Sequence, residues 1–144
     1  MQYLDTCYLV RLYLEDPGFE AVRTLATVDS IACAVHGRAE MLAAFHRKMR
    51  ERAVTPAAYR ALLEQFDLDC AEHAFQWLPL APAVLDRVRR IFSDLPAKAF
   101  LRAGDALHLA CAAENGFDRI YSNDQRLLDS ARHFGLRGID VVAS

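Results

Sequence analysis

The segment Leu101-Arg102-Ala103-Gly104-Asp105-Ala106-Leu107-His108-Leu109-Ala110-Cys111 reads as a buried helix with one acid near its start. Ala103, Ala106, Leu107 and Ala110 recur at helical spacing, and Leu109 and Cys111 widen the apolar face. A carboxylate among such neighbours costs free energy unless something pairs with it, and the helix N-terminus supplies only part of that pairing. Asp105 therefore predicts a cation or an arginine close by. Asn115-Gly116 closes the helix.

Downstream, Arg119-Ile120-Tyr121-Ser122 predicts a strand. Asp124 follows, then a helix through Leu127, Leu128, Ala131 and Phe134 that ends at Gly135, and a short strand over 138–142. Upstream, Gln2-Tyr3-Leu4 predicts a strand ended by Asp5, and Thr6 predicts the cap of a helix over about 6–15. Asp16-Pro17-Gly18 is a turn, and a second helix covers roughly 19–26. The apolar run at 29–34 suits a strand buried on both faces. A helix from His36 or Gly37 to about Arg52 carries Met41, Leu42, Phe45 and Met49 as its stripe, with Glu40 in its first turns. Thr55-Pro56 opens a helix to about Cys70. Phe75-Gln76-Trp77-Leu78 predicts a strand, and Pro82 opens a helix that Pro96 stops. Strands alternating with helices give an α/β fold around a mostly parallel sheet of about five strands.

Composition bounds the rest. A chain of 144 residues, 53% hydrophobic and 25% charged, is most simply one domain, residues 1–144, with a real core. A net charge of −2 gives no global attraction to nucleic acid or an anionic membrane. No apolar run approaches the roughly 20 residues that span a bilayer. The N-terminus has no basic leader and meets Asp5 at once, so no signal peptide is expected. Cys7, Cys33, Cys70 and Cys111 lie apart in apolar settings, which suits buried thiols in a reducing cytoplasm rather than disulfides or a zinc site.

In a parallel sheet, ligand sites lie off the carboxyl ends of the strands, where the following helices begin. Asp5 and Asp124 follow strands, and Glu40 and Asp105 lie early in helices, so four acids distant in sequence converge on one rim. Converging carboxylates raise one another's pKa, and a divalent cation removes the conflict. An all-carboxylate set favours Mg²⁺ or Mn²⁺ over Zn²⁺, which suits phosphodiester hydrolysis. Taken singly, the four have plainer readings: Asp5 and Asp124 as helix caps, Asp105 as an early-turn acid, Glu40 as a solvated residue.

Together, Leu4-Asp5-Thr6, Ala39-Glu40-Met41-Leu42, the 101–110 segment and Ser122-Asn123-Asp124-Gln125-Arg126-Leu127 resemble the PIN-domain family. Within it the chain is similar to the VapC-type toxins of bacterial toxin–antitoxin modules. The likeness spans essentially the whole chain in the right order. It implies a three-layer α/β/α fold and a metal-dependent endoribonuclease. Asp5, Glu40, Asp105 and Asp124 match the family's acidic quartet, with Thr6 and Ser122 as supporting hydroxyls. It further implies a homodimer restrained by a cognate antitoxin whose segment enters the active-site groove. Leu9 and Tyr13 are candidates for that groove. Ser122-Asn123-Asp124 departs mildly from the usual Thr-x-Asp but keeps the hydroxyl.

Asp5 and Asp105 are the expected direct ligands. Glu40 and Asp124 bind the same ion, a second ion or a bridging water, and one of them serves as base. Arg38 and Arg102 stand close in sequence to acids and are candidates for RNA phosphate, whereas Arg47, Lys48, Arg50 and Arg52 read as a solvated helix side. His108, three residues after Asp105, can share its face as a ligand but reads better as a packed core histidine, and His36 reads as surface or structural. A non-cleaving PIN-like module that binds RNA or a protein is the alternative; it would be marked by loss of an acid, and none is lost. A phosphoacceptor fold would want paired acids after the first strand and a late lysine, and Lys98 is the last lysine. A dinucleotide fold would want Gly-x-Gly-x-x-Gly, which the chain lacks.

Overall fold

A computed structural model describes residues 1–143. In order, the elements are β1 (Gln2–Tyr3), α1 (Thr6–Val10), α2 (Phe19–Ala26), β2 (Ile31–Ala34), α3 (Gly37–Arg50), α4 (Pro56–Ala71), β3 (Phe75–Leu78), α5 (Pro82–Asp94), α6 (Ala103–Glu114), β4 (Arg119–Tyr121), α7 (Gln125–Ser130), a 3-10 turn (Ala131–Phe134) and β5 (Arg137–Ile139). None of the helices among the described residues is long and apolar enough to cross a membrane.

All the strand pairs are parallel. The expected single five-stranded sheet is instead a three-stranded sheet, β1-β2-β3, and a two-stranded sheet, β4-β5. One isolated parallel bridge, Leu4 to Tyr121, joins them. The ladder stops there because Asp5, whose N–H donates to Tyr121 O at 3.0 Å, turns the chain at once into α1.

Side chains alternate across a strand, and here the alternation separates two cores. Ala32 and Ala34 of β2, with Tyr3 of β1, pack on α6 with Ala106, Leu109 and Ala110, and on Leu127 of α7. Ile31 and Cys33 of the same strand pack the other way, on Tyr8 and Leu9 of α1, Met41 and Phe45 of α3 and Phe66 of α4. This is the three-layer α/β/α arrangement. Alanines on β2 and α6 let that helix sit close to the sheet, which carries Asp105 toward the strand ends.

Three boundaries differ from the sequence reading. The first helix ends at Val10 rather than near residue 15. Arg23 Nε takes the Arg11 carbonyl at 3.0 Å, so that oxygen faces a tertiary donor instead of a further helical turn. The N-cap of α1 is Asp5 rather than Thr6; the Asp5 carboxylate accepts the Thr6 N–H at 2.6 Å. The last strand runs 137–139 rather than 138–142, because the Asp140 carboxylate takes the N–H groups of Val142 and Ala143 and Tyr8 Oη takes that of Val141.

Candidate active site

Asp5 stands at the end of β1 and is nearly fully buried. Its Oδ1 accepts the N–H of Thr6 and, at 3.2 Å, the Thr6 hydroxyl; its Oδ2 accepts the Ser122 hydroxyl at 2.8 Å and the Cys7 thiol at 3.3 Å. Ser122 Oγ also accepts the N–H of Asp124 at 3.0 Å, so one hydroxyl ties the end of β1 to the start of α7. Asp124 is the N-cap of α7 and accepts the N–H of Arg126 at 3.0 Å. The capping readings of Asp5 and Asp124 are thus true of them, and each keeps a second oxygen for other work.

Asp105, in the first turn of α6, is buried as well. Arg102 lies across it: Nε donates to Asp105 Oδ2 at 3.1 Å and Nη2 to Asp124 Oδ2 at 2.6 Å. This is the arginine that Asp105 predicted. Burial raises the Asp105 pKa, Arg102 pulls it down, and the charges of Asp124 and Asp5 add to the rise. Glu40, on the first turn of α3, accepts from His108 Nε2 at 2.5 Å, with His36 Nε2 3.6 Å away. Burial lowers the His36 pKa, and the neighbouring His108 lowers it further. Burial, and then the charge of Asp5, push the Cys7 thiol far above its ordinary range, so it stays protonated beside the acids.

A cavity of about 460 Å³ joins these groups; Asp5, Thr6, Glu40, Asp105 and Asp124 all line it, together with Arg47, Arg50 and Arg102. The four acids predicted to meet do meet. Ser122 supports Asp5 from behind, fully buried. Arg38 lies near the start of α3 and is not among the residues that line the cavity, whereas Arg47 and Arg50, read from sequence as a solvated side, are on its wall. Helical spacing from Glu40 through Ala43, Ala44 and Arg47 is the signal that places them there. His108 is more than a packed histidine, and the spacing Asp105 to His108, one helical turn, is its signal.

The donor set is made of carboxylate oxygens, with Asp5 and Asp105 nearly buried and a guanidinium already drawn between Asp105 and Asp124. Such a set suits a hard divalent cation, which Asp5, Glu40, Asp105 and Asp124 could hold.

Known proteins resemble this chain in sequence and in fold. The PIN-domain family model matches residues 2–132. The chain is 30% identical over 142 residues to Ribonuclease VapC47 of Mycobacterium tuberculosis, covering 94% of this chain and 93% of that protein. Among solved structures, FitAcB from Neisseria gonorrhoeae superposes with a TM-score of 0.78 at 16% identity, over 98% of each chain. VapBC2 from Rickettsia felis, bound to a DNA fragment from its promoter, gives 0.67 at 14% identity, over 97% of this chain and 98% of that one.

Proposed function

The chain belongs to the PIN-domain family, and from that premise we propose that it is a metal-dependent endoribonuclease, the toxin of a toxin–antitoxin pair. The observation that carries the proposal is one cavity lined by four carboxylates and three arginines. Acids that converge without a cation repel, and arginines beside them offer a place for an anion. A phosphodiester brought to a carboxylate-bound cation satisfies both.

Asp5 and Asp105 would hold the ion, Mg²⁺ or Mn²⁺, and Glu40 and Asp124 would join them directly or through water. The bound ion lowers the pKa of a water and stabilises charge on the phosphate. Arg47 and Arg50 draw the RNA backbone to the cavity mouth. Arg102, paired here with Asp105 and Asp124, would be freed by a bound cation to pair its guanidinium with a phosphate oxygen. Whichever of Glu40 and Asp124 is left off the ion orients the attacking water and accepts its proton. Thr6 and Ser122 fix the Asp5 carboxylate.

The named ribonuclease relative, VapC47, supports this reading, and the structural neighbours support the fold on which it rests. With it go a single domain over residues 1–144, a homodimer, a cytoplasmic site of action and a cognate antitoxin that blocks the cavity.

The test is cleavage of total RNA by the purified chain and by Asp5→Asn, with Mg²⁺ or Mn²⁺ and with EDTA. Discrete cuts that need metal and vanish in Asp5→Asn are expected. A folded, antitoxin-free, metal-loaded wild type that cuts nothing, yet retains RNA or a protein, would be the non-cleaving module.

A further inference from the structure

Glu40 differs from the other three acids. Asp5 and Asp124 are fixed as helix caps and Asp105 by Arg102, whereas Glu40 has a longer side chain, is 38% exposed there, and its carboxylate accepts one hydrogen bond among the described residues. That bond comes from His108, which has no exposure at all.

His108 is held from behind. Its Nδ1 lies 2.7 Å from Tyr3 Oη, and Tyr3 Oη accepts the N–H of Ala34 at 2.9 Å. The chain of contacts runs from the end of β2, through β1 and α6, to Glu40 on α3. His108 Nε2 also lies 3.6 Å from Asp5 Oδ1, so the ring edge faces two of the acids. The ring of His36 packs on it with centroids 4.2 Å apart.

His36, Glu40 and His108 offer ligand atoms within 4.8 Å of one another, a spacing open to a transition metal. The hydrogen bonds speak against that use. His36 Nε2 lies 3.1 Å from the Gly104 carbonyl and His108 Nε2 lies 2.5 Å from a carboxylate. Both partners are acceptors, so both Nε2 atoms carry hydrogens; His36 Nδ1 keeps a lone pair without a partner among the described residues, but His108 Nδ1 is engaged by Tyr3 Oη, so the two rings do not offer a free pair of ligand nitrogens.

We infer that His108 is a positioning residue: anchored by Tyr3, it binds Glu40 Oε1 and so leaves Oε2, which has no hydrogen bond among the described residues, as the oxygen that serves the cation. The inference rests on the assignment of Glu40 to the metal centre. A free glutamate has three side-chain torsions to order on binding, and a fixed one has that entropy already spent. Outer partners of this kind change metal affinity by roughly 10- to 100-fold when removed.

Two substitutions separate position from packing. Glutamine at His108 places an amide N–H near Nε2 and keeps a donor for Glu40. Asparagine reaches only as far as Nδ1, keeping the Tyr3 contact and losing Glu40. Calorimetric titration with Mn²⁺, without RNA, reads the effect, with thermal unfolding followed alongside. His108→Asn is expected to weaken Mn²⁺ binding by about 10- to 100-fold, and His108→Gln to restore most of the loss. In a Glu40→Gln background, His108→Asn should weaken binding no further, since the oxygen it positions is gone. If His108→Asn does not fold, Tyr3→Phe, which removes the anchor together with the acceptor of the Ala34 N–H, should weaken Mn²⁺ binding in the same direction. Equal affinities for wild type, Asn and Gln variants, or an equal loss in both Glu40 backgrounds, would overturn the inference and leave His108 a packing residue. A wild type that binds no Mn²⁺, or binds it as well after Asp5→Asn, would instead remove the metal centre itself, and this inference with it.

Discussion

Ser122 shows how much one buried hydroxyl can carry. It donates to Asp5 Oδ2 and accepts the Asp124 N–H, so its loss leaves a buried carboxylate short of a donor and an amide short of an acceptor. Ser122→Ala should cost about 1–3 kcal/mol in urea unfolding and weaken Mn²⁺ binding; a threonine there should keep both bonds. Arg102 is the converse case. It is half-exposed, so its two ion pairs contribute at most about 1 kcal/mol to stability. Arg102→Ala should lower the metal-free melting temperature modestly, because Asp105 and Asp124 lose their counter-charge, and raise the KM for RNA severalfold with a smaller change in kcat, which steady-state cleavage kinetics would show. These roles were only partly legible. Asp5, Asp105 and Asp124 announce themselves by position after strands and at helix starts, and Ser122 by its place in Ser-Asn-Asp. His108 did so only in part: its spacing from Asp105 puts it on the same side of α6, but nothing local names its partner, a carboxylate 68 residues away.

At the scale of elements, the placement of α3 decides where Glu40 lies. Gly37 begins that helix where a Cβ would come within 2.7 Å of Cys33 Sγ and 3.1 Å of Thr6 Cγ2. The close approach presses the start of α3 on β2 and α1. Gly37→Ala would gain some helix propensity, about 0.5–1 kcal/mol, against an overpacking cost of about 1–3 kcal/mol. Net destabilisation in chemical unfolding is expected, together with weaker Mn²⁺ binding as Glu40 is pushed off its place. Thr55 is a control remote from the site. Its hydroxyl caps α4 by accepting the Ala58 N–H at 3.1 Å, so Thr55→Ala should cost about 1 kcal/mol and leave metal binding and cleavage intact. The start of α4 was readable because Thr-Pro acts locally. The end of α1 was not, because the donor that takes the Arg11 carbonyl comes from α2.

Across the whole molecule, tyrosines tie the layers together. Tyr3 lies in the α6-facing core, Tyr8 donates to Asp140 at 3.0 Å and so fastens α1 to the segment after β5, and Tyr13 donates to Asp69 of α4. Burial, before any other cause, raises the pKa of all three. A phenol whose folded pKa lies above its unfolded value stabilises the fold below about pH 10, and that contribution is lost as pH rises toward the folded value. Phenolate absorbance from these three should therefore appear together with the loss of circular dichroism above about pH 10, rather than ahead of it. Absorbance that rises fully while the fold is intact would contradict their burial.

The sequence by itself determined the alternation of strands and helices, the parallel α/β class, the capping of α4 and α7, and the four acids at strand ends and helix starts. Each of these follows from local periodicity and short-range hydrogen bonding, which a linear pattern contains. Only the tertiary structure decided that the sheet divides between β1 and β4 save for one bridge, that Arg47 and Arg50 reach the cavity while Arg38 does not, and that Tyr3, His108 and Glu40 form one line of contacts. Those outcomes depend on which side chain meets which across layers, where a difference of one helical turn or one backbone donor selects the partner.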